Sequence, residues 1–248
     1  ILKMKKNLNK IYKLIVSKIF MIFYGRISLS KIRSNNINIT NIFKVDNHNV
    51  KKFNYKFYKI KGGRFFTNYV ENIAIILKNI LIKEVSFQQI NSKLQQHKNE
   101  TLFTGTPKFQ KTIHGTVLVL TQGASGHNNY AHWLLDIIPK IKLVSSVYDL
   151  KKIDFFLFSK LNRFQKQSLK MMNIDIKKFI DSNEFRHLKA DNLLAVNHPY
   201  LFKKTFFFSQ SHIPYWIIKY LRNFFLKKEK ETKFKKLFKI YIDRSDSK

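Results

Sequence analysis

The sequence has no cysteine, and only seven glycines, four prolines and fifteen acidic residues among its 248 positions. Without cysteine there is no disulfide framework, no thiolate zinc site and no thiol nucleophile. The scarcity of Gly, Pro, Ala and Arg beside abundant Lys, Ile, Asn and Phe is the pattern of an AT-rich coding sequence, so composition alone assigns no function. Long apolar runs are also missing. Lys13 and Lys18 interrupt the most apolar stretch, Ile11 to Tyr24, which falls short of the ~18–20 residues a membrane span needs.

What is present suffices for a globular core: 44% hydrophobic and 15% aromatic residues, in a chain long enough for one large domain. The dearth of acids leaves a formal charge of +32. Such a charge suits nucleic acid, but Lys greatly outnumbers Arg, and the lysines are spread along the whole chain rather than gathered on an arm. No nucleic-acid partner is therefore expected; anionic lipid or an anionic sugar donor fits the charge better. A basic nucleic-acid-binding or membrane-surface protein without catalysis stands as the alternative. A steep salt dependence of nucleic-acid binding, or vesicle binding lost with the first 25 residues, would favour it.

Residues 1–25 begin with Lys3, Lys5, Lys6 and Lys10 and continue into the apolar run, which reads as a basic amphipathic helix capable of peripheral membrane contact or of packing on the domain. Residues 26–60 show little period and predict short strands and loops. Strands are predicted at Val70–Leu77, Gly115–Leu120, Ile153–Phe158, Lys177–Ile180, Asn192–Val196 and Lys239–Asp243. Between them, helices are predicted over Asn128–Val147, Arg163–Met172 and Pro214–Lys227. Strand–helix alternation of this kind predicts an α/β sheet with parallel strands.

The most informative segment follows the loop Gly123-Ala124-Ser125-Gly126-His127. On the helix after it, capped by Asn128 or Ser125, His132 and Asp136 are four residues apart and share a face beside the apolar stripe of Trp133, Ile137 and Ile141. A histidine and a carboxylate at that spacing can act as base and orienter, or simply satisfy each other. No third ligand stands at a convincing spacing for a metal site. Pro139 lacks the N–H that would bond the Leu135 carbonyl, so a kink is expected there.

The run Asn129-Tyr130-Ala131-His132-Trp133-Leu134-Leu135-Asp136-Ile137-Ile138-Pro139-Lys140 resembles the N-Y-x-H-W-L-x-[DE]-x-x-P-[RK] segment of family 61 glycosyltransferases. Gly123 is similar to that family too. Lys189–Leu194, His212 to Arg222 and Lys239-Ile240-Tyr241-Ile242-Asp243-Arg244 follow in the family's order, so the resemblance spans residues 113–248. It implies the Rossmann-like N-terminal half of a GT-B glycosyltransferase. The expected organisation is a basic segment 1–25, an acceptor-side α/β domain 26–235, and the start of a nucleotide-sugar-binding domain at 236–248. Because the chain opens without Met and ends at Lys248, a longer protein is expected, and this part by itself is expected to bind donor poorly.

The implied activity is inverting transfer of a sugar from a nucleotide-sugar donor to a glycan or lipid-linked glycan acceptor, in surface or capsular polysaccharide synthesis. The resemblance further implies His132 and Asp136 as catalytic, with either as the base, and Gly123, Asn129, Tyr130, Trp133 and Arg244 as substrate-binding. Arg244 would stabilise the leaving diphosphate. No cofactor is expected beyond the donor substrate, and the expected location is cytoplasmic, at the inner face of the membrane.

Overall fold

The computed structural model of the chain describes residues 2–30, 34–46, 51–69, 72–121, 129–201 and 206–229. Helix α1 (Leu2–Tyr24) precedes a hairpin of two long strands, β1 (Ile37–Asp46) and β2 (Lys51–Lys61). An antiparallel meander follows: β3 (Arg64–Tyr69), β4 (Asn72–Leu77) and β5 (Ile80–Leu81). The small pair β6 (Gln89–Ile90) and β7 (Lys93–Leu94) and the one-turn helix α2 (Thr101–Thr104) then lead to β8 (Lys111–Val119).

A helical stretch follows in three pieces: α3 (Tyr130–His132), a π-helical segment Trp133–Ile137, and α4 (Ile138–Ser145). Next come β9 (Phe155–Phe158), α5 (Arg163–Met171), β10 (Phe179–Asp181) and β11 (His187–Val196). Helices α6 (Phe206–Ser211) and α7 (Tyr215–Glu229) close the described chain. The predicted strand Lys239–Asp243, Arg244, the proposed second-domain start 236–248, and the loop holding Gly123 lie outside the described residues.

Nine strands form one mixed sheet flanked by helices, which makes this an α/β domain. Strands β10, β9, β8 and β11 lie side by side and parallel in that order. The sequence order along the sheet is thus third, second, first, fourth, consistent with a Rossmann-like topology. The expectation of parallel strands holds for this part only. On its other side β11 pairs antiparallel, first with β3 and then with β2, so five further strands extend the sheet as an antiparallel wing. The short strands and loops expected over 26–60 are instead largely the β1–β2 hairpin. Its inner face is Phe53, Tyr55 and Phe57, alternating with outward Lys52, Asn54 and Lys56.

The apolar runs of the central strands are continuous instead of alternating because these strands are buried on both faces. Leu118, Phe156, Phe158, Leu194 and Val196 pack under Trp133, Ile137, Ile141 and Leu169 of the helices. Their neighbours Val117, Val119, Leu157, Leu193 and Ala195 point the other way, into a second cluster with Phe65, Ile75 and Phe87. At the junction of parallel and antiparallel parts the pairing of β8 with β11 slips around Asp191. Its carboxylate accepts the Gly115 N–H at 2.9 Å, and Asp154 accepts the next N–H, that of Thr116, at 2.7 Å. Gly115 has φ +128, and a Cβ there would stand 2.7 Å from an Asp154 oxygen. Gly115→Ala is therefore expected to cost roughly 1–3 kcal/mol from backbone strain plus the clash. A urea midpoint equal to that of the parent would refute this.

Candidate active site

The order of the parallel strands reverses between β8 and β11, and open α/β sheets leave a crevice beyond the carboxyl ends of strands at such a point. Three elements meet there: the chain leaving β8 at Leu120 and Thr121, the helical stretch beginning at Tyr130, and the turn Asn197–Tyr200 leaving β11. Asn129 caps the helix, its side-chain oxygen accepting the His132 N–H at 3.1 Å. The cap is thus Asn129, and not Ser125 or Asn128, which lie outside the described residues. Asn129 is exposed at the cap, with that oxygen committed to the helix.

The helix widens into a π segment just before Pro139, which occupies the first turn of α4. The α-helical ladder is interrupted by this π segment, and Pro139, the site of the expected kink, stands in the first turn of the α-helix that follows. Through this segment His132 and Asp136 stay paired: His132 Nδ1 is 2.9 Å from Asp136 Oδ2. Asp136 is 2% exposed, whereas the His132 side chain keeps 22% of its surface open.

Burial alone would push the Asp136 carboxyl up, but His198 and His132 beside it bring it down to about 2. His132 moves up from its ordinary value, chiefly because its ring N–H is held by that carboxylate. With Nδ1 turned to Asp136, the remaining nitrogen of His132, Nε2, has no hydrogen-bond partner among the described residues.

Sequence reasoning missed three further members of this cluster. His198, buried one residue beyond Asn197 at the end of β11, places Nε2 3.7 Å from the same Asp136 oxygen. Its Nδ1 accepts the N–H groups of Tyr200 and Leu201, each at 3.3 Å, so the proton of the neutral ring sits on Nε2, facing Asp136. Burial holds His198 below its ordinary pKa, keeping it neutral. Tyr200 packs edge-on against His198 at 4.6 Å, and burial together with the Asp136 charge pushes its hydroxyl far up. Lys140 lies one turn beyond Asp136, 2% exposed, its Nζ 3.5 Å from the Leu120 carbonyl. Its signal was legible as a third residue at four-residue spacing on the stripe of His132 and Asp136. His198 offered only its place after a predicted strand.

Other expected site residues fall elsewhere. Trp133 is fully buried, its indole N–H donated to Ser168 at 2.8 Å and its ring against Phe158. A ring without open surface cannot touch a substrate, so Trp133 anchors the helix to α5 and the sheet. Tyr130 is exposed, edge-on to Phe164 at 5.2 Å, and available to a ligand only through its outer face. Gly123 and Arg244 lie outside the described residues. Among the described residues no cluster of three His, Asp or Glu side chains is placed to hold a metal, and no helix is long and apolar enough to cross a membrane. No family model matches the chain, and no curated protein and no solved structure is significantly similar to it.

Burial lowers the Lys140 ammonium to about 7, against an ordinary 10.5 in the unfolded chain. Below about 7 both states hold the proton, and the fold bears the full cost of a buried cation. Between about 7 and 10.5 only the unfolded chain holds it, so stability rises with pH across that window. Lys140→Met is expected to raise the melting temperature at pH 7 and to flatten that rise. An unchanged pH profile of melting temperature would show that the ammonium is not buried as described.

Proposed function

We propose that this domain is the acceptor-side half of an inverting glycosyltransferase of GT-B type, with His132 as the base. The observation that carries the reading is the division of labour between the pair. Asp136 is buried and strongly acidic, so it is a poor proton acceptor and out of reach of a hydroxyl. His132 is partly open, orients a proton-free Nε2 away from Asp136, and has its basicity raised by it. The resemblance of Asn129–Lys140 to the family 61 segment, and the position of the pair at the strand-order reversal, support the same assignment.

In the proposed reaction the acceptor hydroxyl oxygen attacks the anomeric carbon of a nucleotide-sugar. The new C–O bond forms as the bond to the nucleotide's diphosphate breaks, and the hydroxyl proton passes to His132 Nε2. Asp136 stabilises the resulting imidazolium. Arg244 and Gly123 belong to this reading through the resemblance alone, as donor-side and loop contacts. The acceptor is a glycan or lipid-linked glycan, and the place of work is the cytoplasmic face of the membrane.

The test is acceptor-dependent release of nucleotide diphosphate across a panel of nucleotide-sugars, using the full-length gene product. His132→Ala is expected to lower turnover ~10²–10⁴-fold without loss of fold; turnover close to the parent's would remove His132 from the role. The pH profile supplies a second check. His132 must be neutral to accept a proton, so activity should climb along a limb set above the ordinary histidine value of 6.5. Asp136→Asn removes the cause of that elevation, so the limb should move to lower pH while maximal turnover falls. A limb that stays in place would mean that another group is the base.

A further inference from the structure

Helix α1 presents its apolar side outward. On the side toward the domain, buried Ser17 donates its hydroxyl hydrogen to the Thr104 carbonyl at 2.5 Å. On that same side the Tyr24 hydroxyl accepts the Gln110 N–H at 3.0 Å, and Phe20 meets Phe109 edge-on at 5.1 Å. Met21 comes so close to Gly105 that a Cβ there would lie 2.8 Å from its side chain. The helix is thus seated, and its orientation is fixed.

On the opposite side Ile11, Tyr12, Ile15, Ile19, Ile22 and Phe23 recur at three- and four-residue spacing as one stripe. All six are exposed, from 45% for Ile19 to 83% for Ile22. A contiguous apolar stripe of this length turned to water is unusual for a folded chain. Phe103 on α2 and Phe109, 71% and 83% exposed, add apolar surface next to the same helix.

The charge around the stripe identifies what covers it. No Asp or Glu precedes Asp46, while Lys3, Lys5, Lys6, Lys10, Lys13 and Lys18 all belong to α1. Lys10, Lys13 and Lys18 are exposed; Lys10 and Lys13 lie on the Ser17 side of the helix, and Lys18 stands at the edge of the stripe, where its stem can lie along apolar surface with its ammonium raised into a polar layer. A second copy of this chain would bring its own +32 against these lysines. An anionic lipid surface offers both an apolar phase for the stripe and opposite charge for Lys18 at its edge and for the basic surface of the helix as a whole. From this we infer that α1 lies in the plane of an anionic bilayer interface, its stripe Ile11 to Phe23 immersed, and holds the domain on that surface. The inference stands on the geometry and charge of α1 and holds independently of the transfer reaction.

The test is flotation of the full chain with vesicles of phosphatidylcholine alone and of phosphatidylcholine mixed with phosphatidylglycerol. The parent should float with the mixed vesicles and far less with the neutral ones. Ile15→Glu combined with Ile22→Glu should lower partitioning roughly tenfold or more while circular dichroism and melting temperature stay unchanged, since both side chains are exposed. Lys18→Glu should weaken binding to mixed vesicles. Three results would overturn the inference: no flotation of the parent with anionic vesicles, parental binding by the Ile15/Ile22 variant, or a parent dimer in sedimentation that the Ile15/Ile22 variant loses while vesicle binding is absent.

Discussion

The Asp136 carboxylate, buried at the carboxyl edge of the sheet, governs the arrangement around it. An isolated charge at 2% exposure would cost several kcal/mol or be lost to protonation. Here it is kept by two imidazoles from distant parts of the chain, His132 one turn earlier and His198 after β11. That pairing requires β11 beside β8, which places the turn after β11 against the helix after β8. The turn is itself tied down. Tyr55 on β2 donates its hydroxyl hydrogen to the Pro199 carbonyl at 2.8 Å and accepts the Trp216 N–H of α7 at 2.9 Å. The hairpin, the parallel sheet and the last helix thus converge on one polar cluster in an otherwise apolar layer.

The scarcity of acids gives this economy a wider consequence. Of the fifteen acidic residues, several are committed to bonds within the fold, Asp136 in the interior and four others at the surface. Asp136 holds the histidines, Asp154 and Asp191 accept the Thr116 and Gly115 N–H groups within β8, and Asp149 and Asp175 each cap a one-turn helix through the second N–H beyond them. The net charge of +32 is felt by anything that approaches the molecule. A composition set by coding bias still has a physical effect, since it selects partners by charge even though it says little about the fold.

Local features were the legible ones. The four-residue spacing of His132 and Asp136, the short apolar strands Val117–Leu120 and Phe155–Phe158, and the helices around Arg163–Met171 and Tyr215–Glu229 follow from periodicity alone. The β1–β2 hairpin was obscured by its own composition: Asn and Lys fill its outward positions so heavily that the alternation of Phe53, Tyr55 and Phe57 is easy to pass over. The mixed character of the sheet was not legible, because β11 serves two kinds of neighbour and strand pairing is a tertiary choice. For Trp133 the resemblance implies a substrate contact, but its place on the apolar stripe sends the indole to Ser168 and the core. His198 depends wholly on where β11 lands, which no local pattern states.

Two histidines share one carboxylate oxygen, yet they are not equivalent, and the difference lies in their second nitrogens. Nδ1 of His198 already accepts two backbone N–H groups, so protonating it would turn two hydrogen bonds into repulsions inside a buried site. His198 therefore stays neutral and contributes a fixed N–H dipole that helps hold Asp136 ionised. Nε2 of His132 has no such commitment among the described residues and sits on a ring with open surface. Between the two histidines a proton is thus directed to Nε2 of His132, with the carboxylate behind it to compensate the charge. Of the two histidines the buried network leaves only His132 free to exchange a proton, a distinction that a pair of residues spaced four apart on a helix could not achieve without the strand that delivers His198.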